Sequence, residues 1–223
     1  MGGRLIDLGS VKPRARAALR LLALHAPRFV HREVLCEALW PEADLESATR
    51  NLQVAISSLR QLIEPGVARG AHTLLVRDGD AYRLVLPGGS DADLVAFGAE
   101  VTAGRLAQAA GDRQTAAAAF ERAMAGYAGE LLPEDGPAEW VVGDRDRARI
   151  AVADIAARLA AMRLEDGDAE AACEVAERGL RADRYRDDLW RRLADAHRAR
   201  GDQAAAARVE RDYALVLEEL GVT

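Results

Sequence analysis

A chain of 223 residues, half of them hydrophobic and with a formal charge of −6, holds enough apolar side chains for one large or two ordinary domains, which excludes a chain too polar to bury a core. Cys36 and Cys173 stand far apart, with neither a C-x-x-C nor a Cys/His pattern around them, so no metal centre is expected and a reducing compartment fits best. No eighteen-residue window lacks charge and residues 1–8 hold no apolar signal core, so the expected setting is the cytoplasm, with no membrane contact.

The acidic total conceals an asymmetry. Residues 1–90 carry 12 basic against 9 acidic side chains, and residues 91–223 carry 18 against 27. A mildly basic first part followed by an acidic second part suits a nucleic-acid reader joined to a protein-facing module.

In chain order, the first predicted helix runs from Ala15 to Ala26, with Leu19, Leu22 and Ala26 on one face, Pro13 suited to its first turn and Arg14, Arg16 and Arg20 making its start basic. The second runs from His31 to Leu39, presents Val34, Leu35, Ala38 and Leu39, and stops at Trp40-Pro41 because proline disfavours helical geometry in the residue before it. The third spans Glu46 to Ile63 with Leu52, Ala55, Ile56, Leu59 and Ile63 as its apolar stripe, and Pro65-Gly66 ends it. Two strand-type runs follow, Thr73 to Arg77 and Ala81 to Leu86, joined by the hairpin signal Asp78-Gly79-Asp80. Three helices and then a hairpin is the winged helix-turn-helix order.

Pro87-Gly88-Gly89-Ser90 interrupts the periodic patterns on both sides, which divides the chain into residues 1–87 and 91–223. Beyond it the chain reads as helix almost throughout, with Gly-Asp pairs at 111–112, 167–168 and 201–202. The last two pairs lie 34 residues apart, the tetratricopeptide period, and Ala116, Phe120, Ala123, Ala172, Ala176, Gly179, Trp190 and Leu193 follow at offsets suited to close helix pairing. The predicted fold class is therefore mainly α: an N-terminal winged helix-turn-helix followed by an all-α, tetratricopeptide-like repeat domain.

The stripe on the third helix fixes its buried side. At about 100° per residue, Ser47, Arg50, Val54, Ser57, Ser58 and Gln61 turn outward, flanked by Asn51, Gln53 and Arg60. A recognition helix needs this chemistry: Arg bonds bidentately to guanine, Asn or Gln to adenine, and Ser to a base or a phosphate. The expected DNA-reading residues are Arg50, Asn51, Gln53, Ser57 and Ser58, with Lys12, Arg16, Arg60 and Arg77 on phosphates. Arg77 and Arg83 lie in the wing, whose tip carries Asp78 and Asp80.

Enzymatic readings find no support. Lys12 is the only lysine, which excludes a P-loop lysine, and neither G-x-S-x-G nor H-E-x-x-H occurs. His25, His31, His72 and His197 are scattered, so no catalytic residue, metal ligand or cofactor is assigned.

Several separated stretches resemble one family. Leu39-Trp40-Pro41, then Arg50-Asn51-Leu52-Gln53-Val54-Ala55-Ile56-Ser57-Ser58-Leu59-Arg60, then Ala81-Tyr82-Arg83-Leu84 are similar to the Streptomyces antibiotic regulatory proteins, whose winged helix is of OmpR type. Tyr127 to Pro133, Glu139-Trp140-Val141 and Glu218 to Val222 resemble that family's bacterial transcriptional activation domain. The resemblance implies an activator role, binding of double-stranded DNA at direct repeats near promoters, a homodimer at least on DNA, and recruitment of RNA polymerase. The sequence departs from the family in its short start, where only Arg4 to Leu8 precede the first helix region, in Ser58 and Gln61 at commonly basic positions, and in Asp78, Asp80 and Ala81 of the wing. Those departures leave open a second reading, a protein-interaction regulator whose winged helix has lost strong DNA binding and docks on another regulator.

Overall fold

A computed structural model describes residues 6–86 and 93–222. The predicted boundary at Pro87 to Ser90 lies outside the described residues, as do Arg4 and Leu5. By contacts the chain divides into two units, Met1–Leu94 with Leu132–Val142, and Val95–Leu131 with Gly143–Thr223.

The first unit begins with a 3-10 turn, Leu8–Ser10, in which Asp7 accepts from the Gly9 amide at 2.8 Å. Helix α1 follows at Pro13–His25, with proline at its first turn, where a missing N–H costs nothing. Strand β1 is Val30–His31, helix α2 is Arg32–Leu39 and helix α3 is Leu45–Ile63. Strands β2, Leu75–Asp78, and β3, Ala81–Leu84, form the hairpin. The three strands are antiparallel in the order β1-β3-β2, with Val30 opposite Tyr82 and Leu75 opposite Leu84.

Local chemistry explains the boundaries. The Asp44 carboxylate caps α3 by accepting from the Ser47 amide at 2.9 Å, and that bond holds the Asp44 carboxyl below its usual value. The two-residue hairpin loop is Gly79-Asp80, and Gly79 takes φ +54°, the left-handed first position of a type II′ turn, whose twist matches the flanking strands. Strand β1 is too short to leave a period in the sequence and exists because its two residues pair with β3. The buried face of α2 is also turned from the expected one: Leu35, Cys36 and Leu39 are buried, while Val34 is 51% exposed. Burial pushes the Cys36 thiol up, as expected for a packed rather than a reactive cysteine.

The core of this unit joins Leu21 and Leu22 of α1, Leu35 and Leu39 of α2, Leu52, Ile56 and Leu59 of α3, and Leu75, Tyr82 and Leu84 of the sheet. Trp40 and Trp140 pack on its edge, so both serve as anchors. The segment carrying Trp140 is tied back by a two-pronged ion pair, in which the Arg20 Nη2 lies 2.6 Å from Asp135 Oδ1 and its Nε 2.5 Å from Oδ2.

The second unit is built from helices. These are α4, Asp93–Ala109; α5, Arg113–Gly126; α6, Glu139–Glu165; α7, Ala169–Ala182; α8, Asp187–Ala199; and α9, Gln203–Glu219. The Gly-Asp pairs at 111–112, 167–168 and 201–202 each close one helix and open the next, whereas Gly143-Asp144 lies inside α6. Gly111, Gly167 and Gly201 adopt φ near +78°, and the following Asp amides bond back five residues to the carbonyls of Ala107, Arg163 and His197, the Schellman closure. The same aspartates then cap α5, α7 and α9 through the amides of Thr115, Ala171 and Ala205.

Small residues set the helix spacing. A Cβ on Gly179 of α7 would lie 2.6 Å from the Ala156 Cβ and 2.8 Å from a Leu189 methyl, so α6, α7 and α8 pack with no room for a side chain there. Ala153, Ala156 and Ala160 of α6 and Ala172 and Ala176 of α7 are buried as well.

Candidate nucleic-acid interface

Helix α3 buries Ala48, Leu52, Ala55, Ile56 and Leu59, and its opposite face is polar. Arg50, Asn51, Gln53, Val54, Ser57, Ser58 and Gln61 are exposed, Ser47 and Arg60 half-buried. The exposed arc thus follows from the apolar stripe, as helical geometry requires.

The arc has two sides. Gln53, Ser57, Arg60 and Gln61 line a cleft of about 520 Å³ that is closed by the loop from Glu64 to Leu74 and by Arg77 and Tyr82 of the wing. Arg50, Asn51 and Ser58 lie outside that lining. Arg50 is held along the helix by Glu46, with Nη2 2.6 Å from Oε1, and both side chains are largely exposed. Such an exposed pair at four-residue spacing is weak, about 0.3–0.5 kcal/mol, so a ligand readily replaces it.

Arg60 has a partner within the unit. Its Nε and Nη2 both donate to the Leu75 carbonyl, at 2.9 and 2.8 Å, and fasten the start of β2 to α3. Arg77 donates from Nε to the Gly79 carbonyl at 2.8 Å and lies over the Tyr82 ring at 5.8 Å. Arg83 lies over the Phe29 ring at 4.6 Å. One of the two acids at the wing tip is compensated: Asp80 Oδ1 is 3.0 Å from Arg32 Nη1 and 3.7 Å from Arg77 Nη2, and the Asp80 carbonyl accepts from the Arg32 amide at 2.7 Å. Lys12 and Arg16 belong to the start of α1, the first exposed and the second half-buried.

Glu64 organises the loop between helix and wing. Its side chain is buried, and its two oxygens accept from the Thr73 amide at 2.8 Å, the Thr73 hydroxyl at 3.0 Å, the Leu74 amide at 3.1 Å and the Leu75 amide at 3.4 Å. Burial pushes the Glu64 carboxyl up, but these donors outweigh it and leave the carboxyl below its ordinary value. The sequence reading missed this carboxylate because it lies at the end of a helix whose stripe gives no hint of partners nine residues away.

Charge is distributed unevenly among the described residues. Lys12, Arg14, Arg16, Arg28 and Arg69 of the first unit have no ion-pair partner, whereas most arginines of α4 to α9 are paired, Arg113 with Glu165 and Asp166, and Arg186 with Asp188, among others. The partnerless positive charge therefore sits mainly on the winged helix even though the chain is acidic overall.

A three-helix core closed by a hairpin wing, accompanied by a helical-repeat unit, defines the class of two-part winged-helix regulators. Residues 8–84 match the family model of the transcriptional regulatory protein C-terminal domain, and residues 92–223 match that of the bacterial transcriptional activator domain. The chain is 27% identical over 225 residues to the transcriptional regulatory protein MoaR1 of Mycobacterium bovis, an alignment covering 99% of this chain and 70% of that one. It is 29% identical over 218 residues to the transcriptional regulatory protein EmbR of Mycobacterium tuberculosis, covering 94% of this chain and 54% of EmbR. The solved structure of Mycobacterium tuberculosis EmbR in complex with a low affinity phosphopeptide superposes with a TM-score of 0.69 at 27% identity, covering 93% of this chain and 54% of that one. The chain thus spans about half the length of EmbR.

The chain belongs to the family of Streptomyces antibiotic regulatory proteins, transcriptional regulators that join an OmpR-type winged helix to a bacterial transcriptional activator domain. The matched families and relatives are regulators of transcription and not enzymes. Among the described residues no helix is long and apolar enough to cross a membrane.

Proposed function

We propose that this protein is a cytoplasmic activator that reads double-stranded promoter DNA by laying α3 in the major groove, with the helical-repeat unit meeting RNA polymerase. The observation that carries this reading is the polar arc of α3 beside a wing in which Asp80, one of the two tip acids, is paired with Arg32, on the unit that holds most of the partnerless cations. Arg50, Asn51, Gln53, Ser57 and Ser58 are assigned to base edges, and Lys12, Arg16 and Arg77 to phosphates. Arg60 is reassigned from phosphate to fastening the wing, because its guanidinium grips Leu75.

Arg50→Ala is expected to weaken binding to the cognate site by about 1–3 kcal/mol, the range of a bidentate base contact, with a smaller loss on random duplex. The exposed position makes a folding defect negligible. Titration of both duplexes decides the matter, and equal losses on the two would demote Arg50 to a backbone contact.

A single recognition helix specifies only a few base pairs, so two protomers on tandem sites are proposed to share the operator. Protomers on direct repeats meet head to tail, and half a helical turn inserted between the repeats rotates one away from the other. Cooperativity is expected to collapse with that insertion and to return in part with a full turn, about 34–36 Å of added separation. Binding indifferent to spacing would remove the tandem arrangement.

A further inference from the structure

The cleft between α3 and the wing is unbalanced in charge. Its lining holds Arg60, Arg69 and Arg77 against one carboxylate, Glu64. Glu64 is occupied by the amides and hydroxyl of the loop, Arg60 by the Leu75 carbonyl, and Arg77 by the Gly79 carbonyl with Asp80 nearby. Arg69 alone of these cations has neither an ion pair nor a hydrogen bond, and it is exposed.

Its backbone is nevertheless held in place. The Ala71 amide donates to the Ala68 carbonyl at 3.0 Å, closing a turn around Arg69 and Gly70, and Gly70 takes φ +91°, the conformation that a type II turn requires at its third residue. On one side the loop is tied by the Val67 amide to the Glu64 carbonyl at 3.3 Å, and on the other by the Glu64 carboxylate to Thr73 and Leu74. Both anchors meet at Glu64, so the loop backbone carries Arg69 at the rim of the cleft, with its guanidinium exposed to a ligand.

A duplex has one sugar-phosphate strand between its major and minor grooves. If the major groove takes α3 and the wing reaches toward the adjacent minor groove, that strand crosses the gap between helix and wing. We infer that this cleft binds a backbone phosphate of the crossing strand and that Arg69 is the residue that holds it, opposite the amide and hydroxyl groups of Gln53, Ser57 and Gln61. The inference rests on the reading of α3 as a recognition helix. It adds a loop residue outside the helix and the wing, with a sequence-independent role.

The test is titration of the full chain with a cognate duplex and a random duplex over a range of salt concentrations. Arg69→Ala is expected to weaken both by a similar factor, about threefold to tenfold, and to make the salt dependence shallower by about one released counterion. Arg69→Lys keeps the charge and should retain most of the affinity, whereas Arg69→Glu should lose more than the alanine variant. Arg211→Ala, which removes one cation from α9, serves as the control for net charge and should leave the slope unchanged. Unaltered affinity and slope in Arg69→Ala, with the wild type binding normally, overturns this inference alone. A loss confined to the cognate duplex places Arg69 on a base edge and also overturns it. No salt-dependent binding by the wild type overturns the recognition-helix reading itself.

Discussion

Replacing Glu64 by alanine is expected to destabilise the winged helix by about 3 kcal/mol, because hydrogen bonds to a charged acceptor are worth about 1.5–3 kcal/mol each and water recovers only those near the surface. The Leu75 amide is buried beside this carboxylate and the Leu74 amide is half-buried. Amide exchange gives the cleanest readout: protection at Leu74 and Leu75 should fall while that in α8 stays as it was. Unchanged protection at those two amides would show that the loop is held by something else.

The same group predicts a dependence on pH. The folded Glu64 carboxyl lies below its ordinary value, so its contribution is fully present above the unfolded pKa, about 4.3, and is lost as pH falls through the folded value. Glu64→Gln keeps one acceptor but cannot titrate, so the stability gap between it and the wild type should narrow on acidification from neutral pH. Urea titrations at a series of pH values measure that gap, and a gap that widens toward acid would contradict the assigned direction.

The second large effect is expected in the helical unit. Phe120 is fully buried in α5, and its ring edge occupies the space in which a Cβ on Gly104 of α4 would stand, 2.4 Å from Cε1 and 2.5 Å from Cδ1. Phe120→Ala should cost about 3–5 kcal/mol, the usual price of emptying an aromatic core site. Gly104→Ala would gain up to about 1 kcal/mol from helix propensity alone, but overpacking costs about 1–3 kcal/mol, so the net effect is destabilising. With the ring removed, the added methyl enters vacated space, and the double variant should be more stable than Phe120→Ala. Thermal or chemical unfolding of the four proteins completes the cycle; additive losses would mean that the two sites do not share that space.

Periodicity and punctuation made much of the fold legible. The stripe on α3 defined both its buried side and its exposed polar arc, because 3.6 residues per turn leave no other assignment for Leu52, Ile56 and Leu59. Asp78-Gly79-Asp80 marked the hairpin and the Gly-Asp pairs at 111–112, 167–168 and 201–202 marked helix turns, since a left-handed glycine followed by a capping carboxylate ends one helix and starts the next without help from distant residues. The asymmetry of charge, too, is a property of the sequence itself.

Only the tertiary structure decided what depends on distant partners. Strand β1 is two residues long and is defined by its pairing with β3; the buried face of α2 turned toward Cys36 because the core, not local spacing, selects it. The segment Leu132–Val142 groups with the winged helix, to which it is joined by the Arg20–Asp135 pair, 115 residues apart in sequence, and by Trp140 on the core. Arg60 and Arg69 are alike as residues, but one is bound to Leu75 and the other has no partner. That difference, which governs what each cation can hold, arises from side-chain hydrogen bonds formed only when α3, the loop and the wing come together.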